Sequence, residues 1–371
     1  MTWPEVPLGE VVTFLDHLRR PITGMDRQPG SIPYYGANGQ QDSVAGHLFD
    51  EPLVLLAEDG GHFNAPERGV AYKIEGPSWV NNHAHVLRAK PTIDNSYLFR
   101  VLQNRDLSAF VTGTTRAKLT KGSAERISIP LPPLPEQRRI ASILDQADSL
   151  RAMRRLAIQL LDESVAARTE EAVEAAENVE LLGDLVSEFR YGTSVKSGPS
   201  GTVVLRIPNV SKRILDLNEL KTVDLLPAEK SRLLLAPGDL LIVRSNGNRN
   251  LVGATVEYPT FENPREHVFA SYLIRARPRL GVNATYLSRY LGSKAGRAAL
   301  HGGSTTSAGQ YNINTKTLGN LKIPLPDIGT QISLSSYVIE IEAIRRLHLK
   351  SLAKLDELFA SLQHSAFRGE L

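Results

Sequence analysis

The chain has 371 residues, a length typical of two or three globular domains, and its 42% hydrophobic and 22% charged residues predict an ordinary soluble protein. It contains no cysteine. This excludes disulfides, thiolate catalysis and cysteine-ligated zinc fingers, and we expect a cytoplasmic protein. The N-terminal sequence MTWPEVPLGEVV lacks the basic and apolar regions of a signal peptide. No apolar run approaches the roughly 20 residues of a membrane span.

Positive charge is concentrated in one segment of the chain. Residues 180–322 contain 19 Lys and Arg against 11 Asp and Glu, a net charge of +8, whereas the whole chain carries +3. A basic surface supplies the phosphate-binding part of nucleic-acid affinity. A solvated surface without any nucleic-acid partner explains the same charge, so the charge alone leaves both readings open.

The first globular part has short β-branched runs separated by loops rich in glycine and asparagine. VLLAE at 54–58, GVAYKI at 69–74 and HAHVLRA at 83–89 predict strands. Pro-Leu-Pro at 130–132 then predicts a rigid hinge, because proline continues neither a sheet ladder nor a helix interior. From about Glu136 to Ala176 there is neither proline nor glycine, which predicts one long helix.

The same order of elements then recurs, so the chain is a tandem duplication. ISIPLPPLPEQ at 127–137 returns as LKIPLPDIGTQ at 321–331, and this offset of 194 continues without a gap into a second helix predicted from about Gln331 to Arg368. LLIVRS at 240–245 and YLIRARP at 272–278 predict strands of the second globular part, which is about twenty residues longer. We predict globular domains at 1–134 and 179–328, and helices at 135–178 and 329–371.

Both helices carry apolar residues at three- and four-residue spacing, in the same phase. The predicted seam is formed by Ile140, Ile143, Leu150, Leu161, Leu334, Ile341, Ile344 and Leu355. We therefore expect an α+β fold in which two helices, each about 60 Å long, pack as an antiparallel coiled coil. Two globular domains would then lie at opposite ends, related by an approximate two-fold axis. The alternative is that each helix packs on its own globular part.

Motifs for catalysis and cofactor binding are missing from the sequence. There is no Gly-x-x-x-x-Gly-Lys loop, no glycine-rich dinucleotide or S-adenosylmethionine turn and no Asn-Pro-Pro-aromatic tetrapeptide. His83 and His85 on one strand, with Asp59 and His62, are the best metal candidates, but a structural or DNA-facing role is favoured for them. We expect no cofactor, no metal and no catalytic residue in this chain.

Polar, glycine-rich loops in both globular parts have the composition that contacts bases and phosphates. Ordinary turns have the same composition, which is the alternative for each loop. In the first part the candidate DNA-binding residues are Tyr34, Tyr35, Asn38, Asn81, Asn82, His83, Thr114, Thr115, Arg116 and Lys118. In the second part they are Thr193, Lys196, Arg244, Asn246, Asn248, Arg249, Thr305, Thr306, Gln310, Tyr311 and Asn312.

Six segments carry a resemblance to a known family: ISIPLPPLPEQRRIASILDQAD at 127–148, GTTRAKL at 113–119, QYNIN at 310–314, AFRGEL at 366–371, IPYYGANGQ at 32–40 and WVNNHAHVLR at 79–88. Through them, and over nearly its whole length, the chain resembles the specificity (S) subunit of type I restriction–modification systems. The second hinge departs from the first, because Gly329-Thr330 replaces Pro135-Glu136.

The resemblance implies a non-catalytic subunit with two target recognition domains, each reading one half of an asymmetric, bipartite site in double-stranded DNA. It also implies that the paired helices act as a ruler and as the docking platform for two methylase subunits. Adenine-N6 methylation, ATP-driven translocation and cleavage would belong to those subunits and to restriction subunits. Two alternatives remain: a single-chain DNA enzyme with an unrecognised active site, and a scaffold with two domains that bind ligands other than DNA.

Overall fold

The computed structural model describes residues 3–113, 117–211, 214–263, 265–303, 305–307 (backbone only) and 310–371. They form two compact units, which are described separately. Unit 1 comprises residues 1–155 and 350–371, and unit 2 comprises residues 156–349. Each unit contains one globular part and a stretch of both long helices. The division between the units therefore falls within the helices and not at the ends of the predicted domains. Among the described residues, no helix combines the length and apolar character needed to cross a membrane.

Unit 1 is built on a four-stranded antiparallel sheet in the order β2-β9-β6-β7, beside a second sheet in the order β4-β3-β8-β5. Its strands are β1 (Glu5–Pro7), β2 (Val12–Phe14), β3 (Pro29–Gly36), β4 (Gly39–Val44), β5 (Phe49–Asp50), β6 (Leu53–Ala57), β7 (Ala71–Ile74), β8 (Pro77–Val80), β9 (Ala84–Ala89) and β10 (Ser128–Pro130). Its helices are α1 (Leu8–Val11), α2 (Asn95–Leu102), α3 (Lys121–Glu125) and the start of α4 (Leu134–Glu174).

The central strand β6 is buried along its whole length because both faces of its sheet are covered. Val54 and Leu56 face the core that contains α2 and α4, while Leu53 and Leu55 face the core beneath the second sheet. A strand that is buried on both faces is a continuous apolar run rather than an alternating one, as in LVLLA.

Unit 2 has a four-stranded antiparallel sheet in the order β12-β19-β15-β17 and two three-stranded sheets, β14-β13-β18 and β16-β21-β20. Its strands are β11 (Asn178–Leu181), β12 (Val186–Tyr191), β13 (Thr202–Leu205), β14 (Lys221–Val223), β15 (Leu240–Val243), β16 (Ser245–Asn246), β17 (Thr255–Glu257), β18 (His267–Phe269), β19 (Leu273–Pro278), β20 (Thr305–Ser307), β21 (Gln310–Asn312) and β22 (Lys322–Leu325). Its helices are α5 (Leu182–Leu185), α6 (Ile207–Val210), α7 (Pro227–Leu233), α8 (Ala284–Gly292), α9 (Lys294–Gly302), α10 (Thr315–Gly319) and the start of α11 (Ile328–Arg368).

The duplication is visible in the strand order. The sheet β2-β9-β6-β7 has the order and antiparallel pairing of β12-β19-β15-β17. In both units a further pair of strands, β1 with β10 and β11 with β22, brackets the globular part. The predicted strands appear as β6, β7, β9, β15 and β19, and the predicted helices as α4 and α11. The run 240–245 is divided, because β15 ends at Val243 and β16 begins at Ser245.

A buried glutamine explains why the hinge motif recurs with Gln137 and Gln331 in register. In unit 1 the Gln137 amide donates to the carbonyl oxygens of Pro132 (2.8 Å) and Thr92 (3.1 Å), and its oxygen accepts from the Asp94 backbone N–H (2.7 Å). In unit 2 the Gln331 amide donates to the carbonyl oxygen of Pro326 (2.8 Å). Both side chains are buried, so they satisfy backbone groups at the hinge that water does not reach.

The two long helices pair antiparallel within each unit. In unit 1, Arg139 on α4 donates to the carbonyl oxygen of Leu371 (2.9 Å), and Arg151 on α4 pairs with Asp356 on α11 (2.7 Å). As the residue number rises on one helix it falls on the other. Between these contacts, the buried Leu144 lies in one apolar cluster with Phe359.

The same ion pair recurs in unit 2 with the helices exchanged. Arg345 on α11 pairs with Asp162 on α4 (2.8 Å), and the two residues are the duplicated partners of Arg151 and Asp356 at the offset of 194. The buried Val165 of α4 shares an apolar cluster with Leu334 of α11.

The observed seam differs from the prediction at Leu150 and Ile344, which are 49% and 42% exposed. At this level the helices make contact through the neighbouring residues Arg151 and Arg345, whose side chains are only 15% and 16% exposed in their ion pairs. Arg151 also lies over the Phe359 ring at 4.3 Å. Of the other predicted seam residues, Ile140 and Leu334 are buried, and Ile143, Leu161, Ile341 and Leu355 are half-buried.

Candidate nucleic-acid interface

Two of the predicted polar loops of unit 1 meet at one place although they are distant in sequence. The hairpin between β3 and β4 lies next to the segment after β8, because the Asn81 N–H donates to the Tyr35 carbonyl (3.0 Å) and the Asn81 amide donates to Gln41 Oε1 (3.2 Å). At the hairpin tip, the Asn38 amide donates to the Gly60 carbonyl (2.9 Å). The segment after β6 therefore joins the same surface.

The third predicted loop of unit 1 reaches this surface through Lys118. Its backbone pairs with Thr112 in both directions (2.8 and 2.9 Å) and forms an antiparallel bridge with Asp59. Its ammonium group lies 3.1 Å from a carboxylate oxygen of Glu58. Thr114, Thr115 and Arg116, which the sequence also predicted to bind DNA, lie outside the described residues.

Several residues of unit 1 that were predicted to bind DNA are buried and support the loops from inside. Tyr34 is buried, its hydroxyl accepts from the Ile22 N–H (3.1 Å), and the Arg27 guanidinium lies 4.3 Å from its ring centre. Asn81 is buried as well, and its oxygen accepts from the His83 N–H (2.8 Å). Asn82, which lies between Asn81 and His83 in sequence, is exposed and therefore accessible to a ligand.

The two histidines of the metal candidate have different environments. His83 Nδ1 lies 2.6 Å from a carboxylate oxygen of Asp59. His85 is buried, with Nδ1 2.6 Å from Asp16 Oδ2 and Nε2 2.8 Å from the Leu119 carbonyl oxygen. Both ring nitrogens of His85 are thus used inside the protein.

Asp16, Glu58 and His85 bring possible ligand atoms within 4.8 Å of one another, but cationic side chains already balance their charge. Arg19 donates to Glu58 at 2.7 Å, and Lys118 lies on the other carboxylate oxygen of Glu58. The arrangement is that of a buried ion network that ties the start of the first sheet to the loop after β6.

Replacing Asp16 with Asn is expected to destabilise unit 1 by about 1–3 kcal/mol at pH 7, because Asp16 accepts hydrogen bonds from His85 and from the Val86 N–H. Burial acts to raise the pKa of Asp16, but these hydrogen bonds together hold it below its ordinary value of 3.8. The stabilisation is therefore complete above pH 3.8 and disappears as the pH falls through the lower folded-state pKa. Urea unfolding from pH 7 to pH 3 should show the gap between wild type and variant closing, whereas Asp50→Asn, on the exposed surface, should show no gap.

The predicted loops of unit 2 are joined by a small sheet. In the order β16-β21-β20, Ser245 pairs with Asn312 and Asn246 pairs with Tyr311. The Ser245 hydroxyl donates to Gln310 Oε1 (3.0 Å). On the other side β21 pairs with β20, which places the backbone of Thr305 and Thr306 in the same sheet. Loops separated by about sixty residues of sequence thus form one surface.

The turn after β16 is held by asparagines at alternate positions. The Asn246 oxygen accepts from the Asn248 N–H (2.8 Å), and the Asn248 oxygen accepts from the Asn250 N–H (3.0 Å). These turns leave Asn248 and Arg249 exposed, with the Arg249 guanidinium 5.9 Å from the ring centre of Tyr311. Exposed amide and guanidinium groups on a fixed turn are suited to base edges and phosphates.

The third loop of unit 2 joins this surface through Tyr191, which the sequence-based selection of residues omitted. The Arg244 guanidinium lies 4.7 Å from the Tyr191 ring centre, and the Thr315 N–H donates to the Tyr191 hydroxyl (3.2 Å). Of the predicted residues in this loop, Thr193 is buried and donates to Glu229 Oε1 (3.0 Å), whereas Lys196 is exposed. Only the tertiary pairing reveals the stacked Arg–Tyr pair, because neither residue has a distinctive sequence motif.

Glu58 and Arg244 occupy the same place in the duplicated frame. The Glu58 N–H donates to the His83 carbonyl (2.9 Å), and the Arg244 N–H donates to the Tyr272 carbonyl (2.8 Å). The Glu58 carbonyl accepts from Leu119, and the Arg244 carbonyl accepts from Ile313, which is the partner of Leu119 at the offset of 194. The two units therefore place opposite charges at one structural position.

Comparison with known proteins finds similar sequences for both a part and the greater length of the chain. Residues 1–160 match the family described as the type I restriction modification DNA specificity domain. A Haemophilus influenzae protein named as a type I restriction enzyme specificity subunit is 40% identical over 144 residues, which cover 39% of this chain and 37% of that protein. The EcoKI specificity subunit of Escherichia coli is 27% identical over 294 residues, covering 73% of this chain and 63% of the relative. The chain thus spans less than two thirds of the length of these relatives.

Solved structures share the fold over the full length. The S subunit of a type I restriction–modification system from M. genitalium superposes with a TM-score of 0.64 at 12% identity, covering 99% of this chain and 96% of that one. A chain from a structure on complex assembly and conformational transition of the type I R-M system gives 0.54 at 18% identity, covering 100% and 98%. Residues 1–160 are thus similar to the DNA specificity domain of type I restriction–modification systems. The chain is a relative of the specificity subunits of these systems and has their α+β fold with two long helices, as the sequence motifs predicted.

Proposed function

We propose that this chain is a non-catalytic specificity subunit that reads a two-part, asymmetric sequence in double-stranded DNA. The observation that carries the proposal is that each unit gathers three sequence-distant polar loops onto one surface, on a shared sheet frame. The frame is duplicated, but the reading surfaces are not, as the opposite charges of Glu58 and Arg244 at one position illustrate. Two unlike readers suit two unlike half-sites.

The two recognition domains would be residues 1–134 and 179–328, with the long helices at 135–178 and 329–371. In this division the readers are Tyr35, Asn38, Asn82, His83 and Lys118 in the first domain. In the second, the reading side chains would include Lys196, Arg244, Asn246, Asn248, Arg249, Gln310, Tyr311 and Asn312. The buried Tyr34, Asn81 and Thr193 would hold these loops in place. The net charge of +8 over residues 180–322 would supply phosphate contacts for the second domain.

The helices would bind the partner enzymes. In unit 1, Leu150 and Met153 of α4 are each about half exposed and lie three residues apart on one helix face. In unit 2, Leu156 and Leu160 of α4 are also about half exposed and lie four residues apart. Ile339 and Leu347 of α11 are more exposed still. Contiguous exposed apolar side chains mark protein–protein contacts. We propose that two methylase subunits dock on the helices and that restriction subunits join through them.

The catalytic groups would all belong to those partners. Adenine-N6 methylation and ATP-dependent cleavage require cofactor and nucleotide sites, whose motifs this sequence lacks. The specificity subunit would contribute only the choice of DNA site.

The test is to express the chain with and without the methylase encoded with it, and to map modified adenines in the DNA by sequencing. We expect one interrupted, non-palindromic motif to be modified when both proteins are present and none when the chain is alone. Methylation or cleavage by the isolated chain would instead establish a single-chain enzyme. A complex that forms with the methylase but modifies DNA without sequence preference would contradict the proposed role as the reader.

A further inference from the structure

We infer that Arg244 reads a guanine in the half-site bound by unit 2, with Tyr191 as its positioning residue. This inference rests on the proposed function and identifies one base-reading group within it. The duplicated frame draws attention to Arg244. The equivalent residue of unit 1, Glu58, forms ion pairs with Arg19 and Lys118. Arg244, in contrast, has no carboxylate partner among the described residues.

The backbone of Arg244 is fixed on both sides. Its N–H donates to the Tyr272 carbonyl (2.8 Å), and its carbonyl accepts from the Ile313 N–H (2.9 Å). It lies between the end of β15 and the start of β16, so the side chain emerges at the edge of the small sheet that joins the other two loops. A reading group on such an anchored strand end is held more firmly than one on a free loop.

The side chain of Arg244 is also fixed, but it makes no hydrogen bond within the part of the chain that the structure describes. The guanidinium is half-buried and stacked on the Tyr191 ring at 4.7 Å, and its Nε has neither water contact nor a hydrogen-bond partner within the described chain. Elsewhere in unit 2, Arg190 and Arg275 both donate to Glu188, and Arg277 donates to Asp239. A half-buried guanidinium without an acceptor is costly unless a ligand supplies one.

The chemistry of the surroundings favours a base edge over a phosphate. A guanidinium presents its donors in a planar fork that matches two acceptors side by side, and guanine offers O6 and N7 in this geometry in the major groove. Stacking on Tyr191 fixes the plane of the fork, which matters for a flat base. Its close neighbours on the small sheet, Ser245, Gln310 and Asn312, are neutral hydrogen-bonding groups typical of base contacts.

Tyr191 is itself anchored, which is what a positioning residue requires. Its hydroxyl accepts from the Thr315 N–H (3.2 Å) at the start of α10, so its ring is tied to a helix as well as to β12. Removal of the Tyr191 ring should leave the charge of Arg244 at the site but allow the plane of its guanidinium to rotate.

The experiment selects DNA from a duplex library randomised over the recognised site, using the complex of the full chain with its methylase. We expect wild type to require guanine at one position of the unit 2 half-site. Arg244→Lys keeps the charge but loses the fork, and should reduce that preference roughly tenfold to a hundredfold while the other positions stay unchanged. Tyr191→Leu should reduce it by less. Arg289→Lys, on α8 in the same unit, is the matched control and should select like wild type.

Three other outcomes overturn the inference. If Arg244→Lys weakens binding to all sequences equally and leaves every base preference intact, Arg244 contacts a phosphate. If Arg244→Lys changes neither the binding nor the base preference, Arg244 does not contact DNA. The proposed function still stands in that case, provided that the wild-type complex selects a motif. If wild type shows no preference at all, the proposed function itself fails. Equal melting temperatures of the variants establish that folding does not explain the differences, and Arg244→Gln serves as a second variant.

Discussion

Exchanging residues 180–320 for the corresponding segment of another specificity subunit is expected to change one half of the modified DNA motif and leave the other half as it was. The exchanged segment contains all three loops that meet in unit 2. It leaves in place strand β22, the hinge glutamine Gln331 and both long helices, which belong to the duplicated frame. The duplicated frame, and not the loops, holds the globular part together. A different recognition segment should therefore fold in unit 2 without altering the recognition surface of unit 1.

We expect the recognised sequence to change completely at one half-site, because no described loop residue belongs to both units. Mapping of modified adenines before and after the exchange measures it. The matched control is the reciprocal exchange of residues 8–127, which should alter the other half alone. If either exchange altered both halves, the two surfaces would not read independently and the modular account would have to be abandoned.

Replacing Gln137 with Leu is expected to lower the free energy of unfolding of unit 1 by at least about 3 kcal/mol. Leucine is similar in size, so the loss comes from three backbone groups that the glutamine now satisfies: the carbonyls of Thr92 and Pro132 and the N–H of Asp94. Each buried group left without a partner costs about 1–3 kcal/mol. Asp94 also caps α2 by accepting from the N–H groups of Ser96 and Tyr97, so the damage should extend into that helix.

Chemical denaturation followed by hydrogen exchange of α2 measures this effect, and Gln146→Leu is the control. Gln146 is an exposed glutamine on the same helix whose amide donates to the Ser142 hydroxyl, so its loss should change the stability by less than about 0.5 kcal/mol. Gln331→Leu should weaken unit 2 in the same way, because its oxygen accepts from the Asn283 N–H at the start of α8. Equal stability of Gln137→Leu and Gln146→Leu would show that the hinge does not depend on the glutamine.

The duplicated frame can be predicted from the sequence alone. The offset of 194, the extents of α4 and α11 and the central strands all follow from patterns that are local in sequence: prolines that stop an element, long stretches without proline or glycine, and apolar runs. Once one of the ion pairs Arg151–Asp356 and Arg345–Asp162 is known, the offset of 194 implies the other. Such features are predictable because each depends on residues that are close in the chain or related by a constant offset.

Which polar residues are accessible to a ligand depends on the tertiary structure. Tyr34, Asn81 and Thr193 have the same residue types as exposed readers, but their polar atoms are used inside the protein. Leu150 has the spacing of a seam residue, but Arg151 beside it makes the contact between the helices. The stacking of Arg244 on Tyr191 joins residues fifty-three positions apart. Burial and partner choice are set by strand pairing between distant segments, and neither composition nor spacing records which segments will pair.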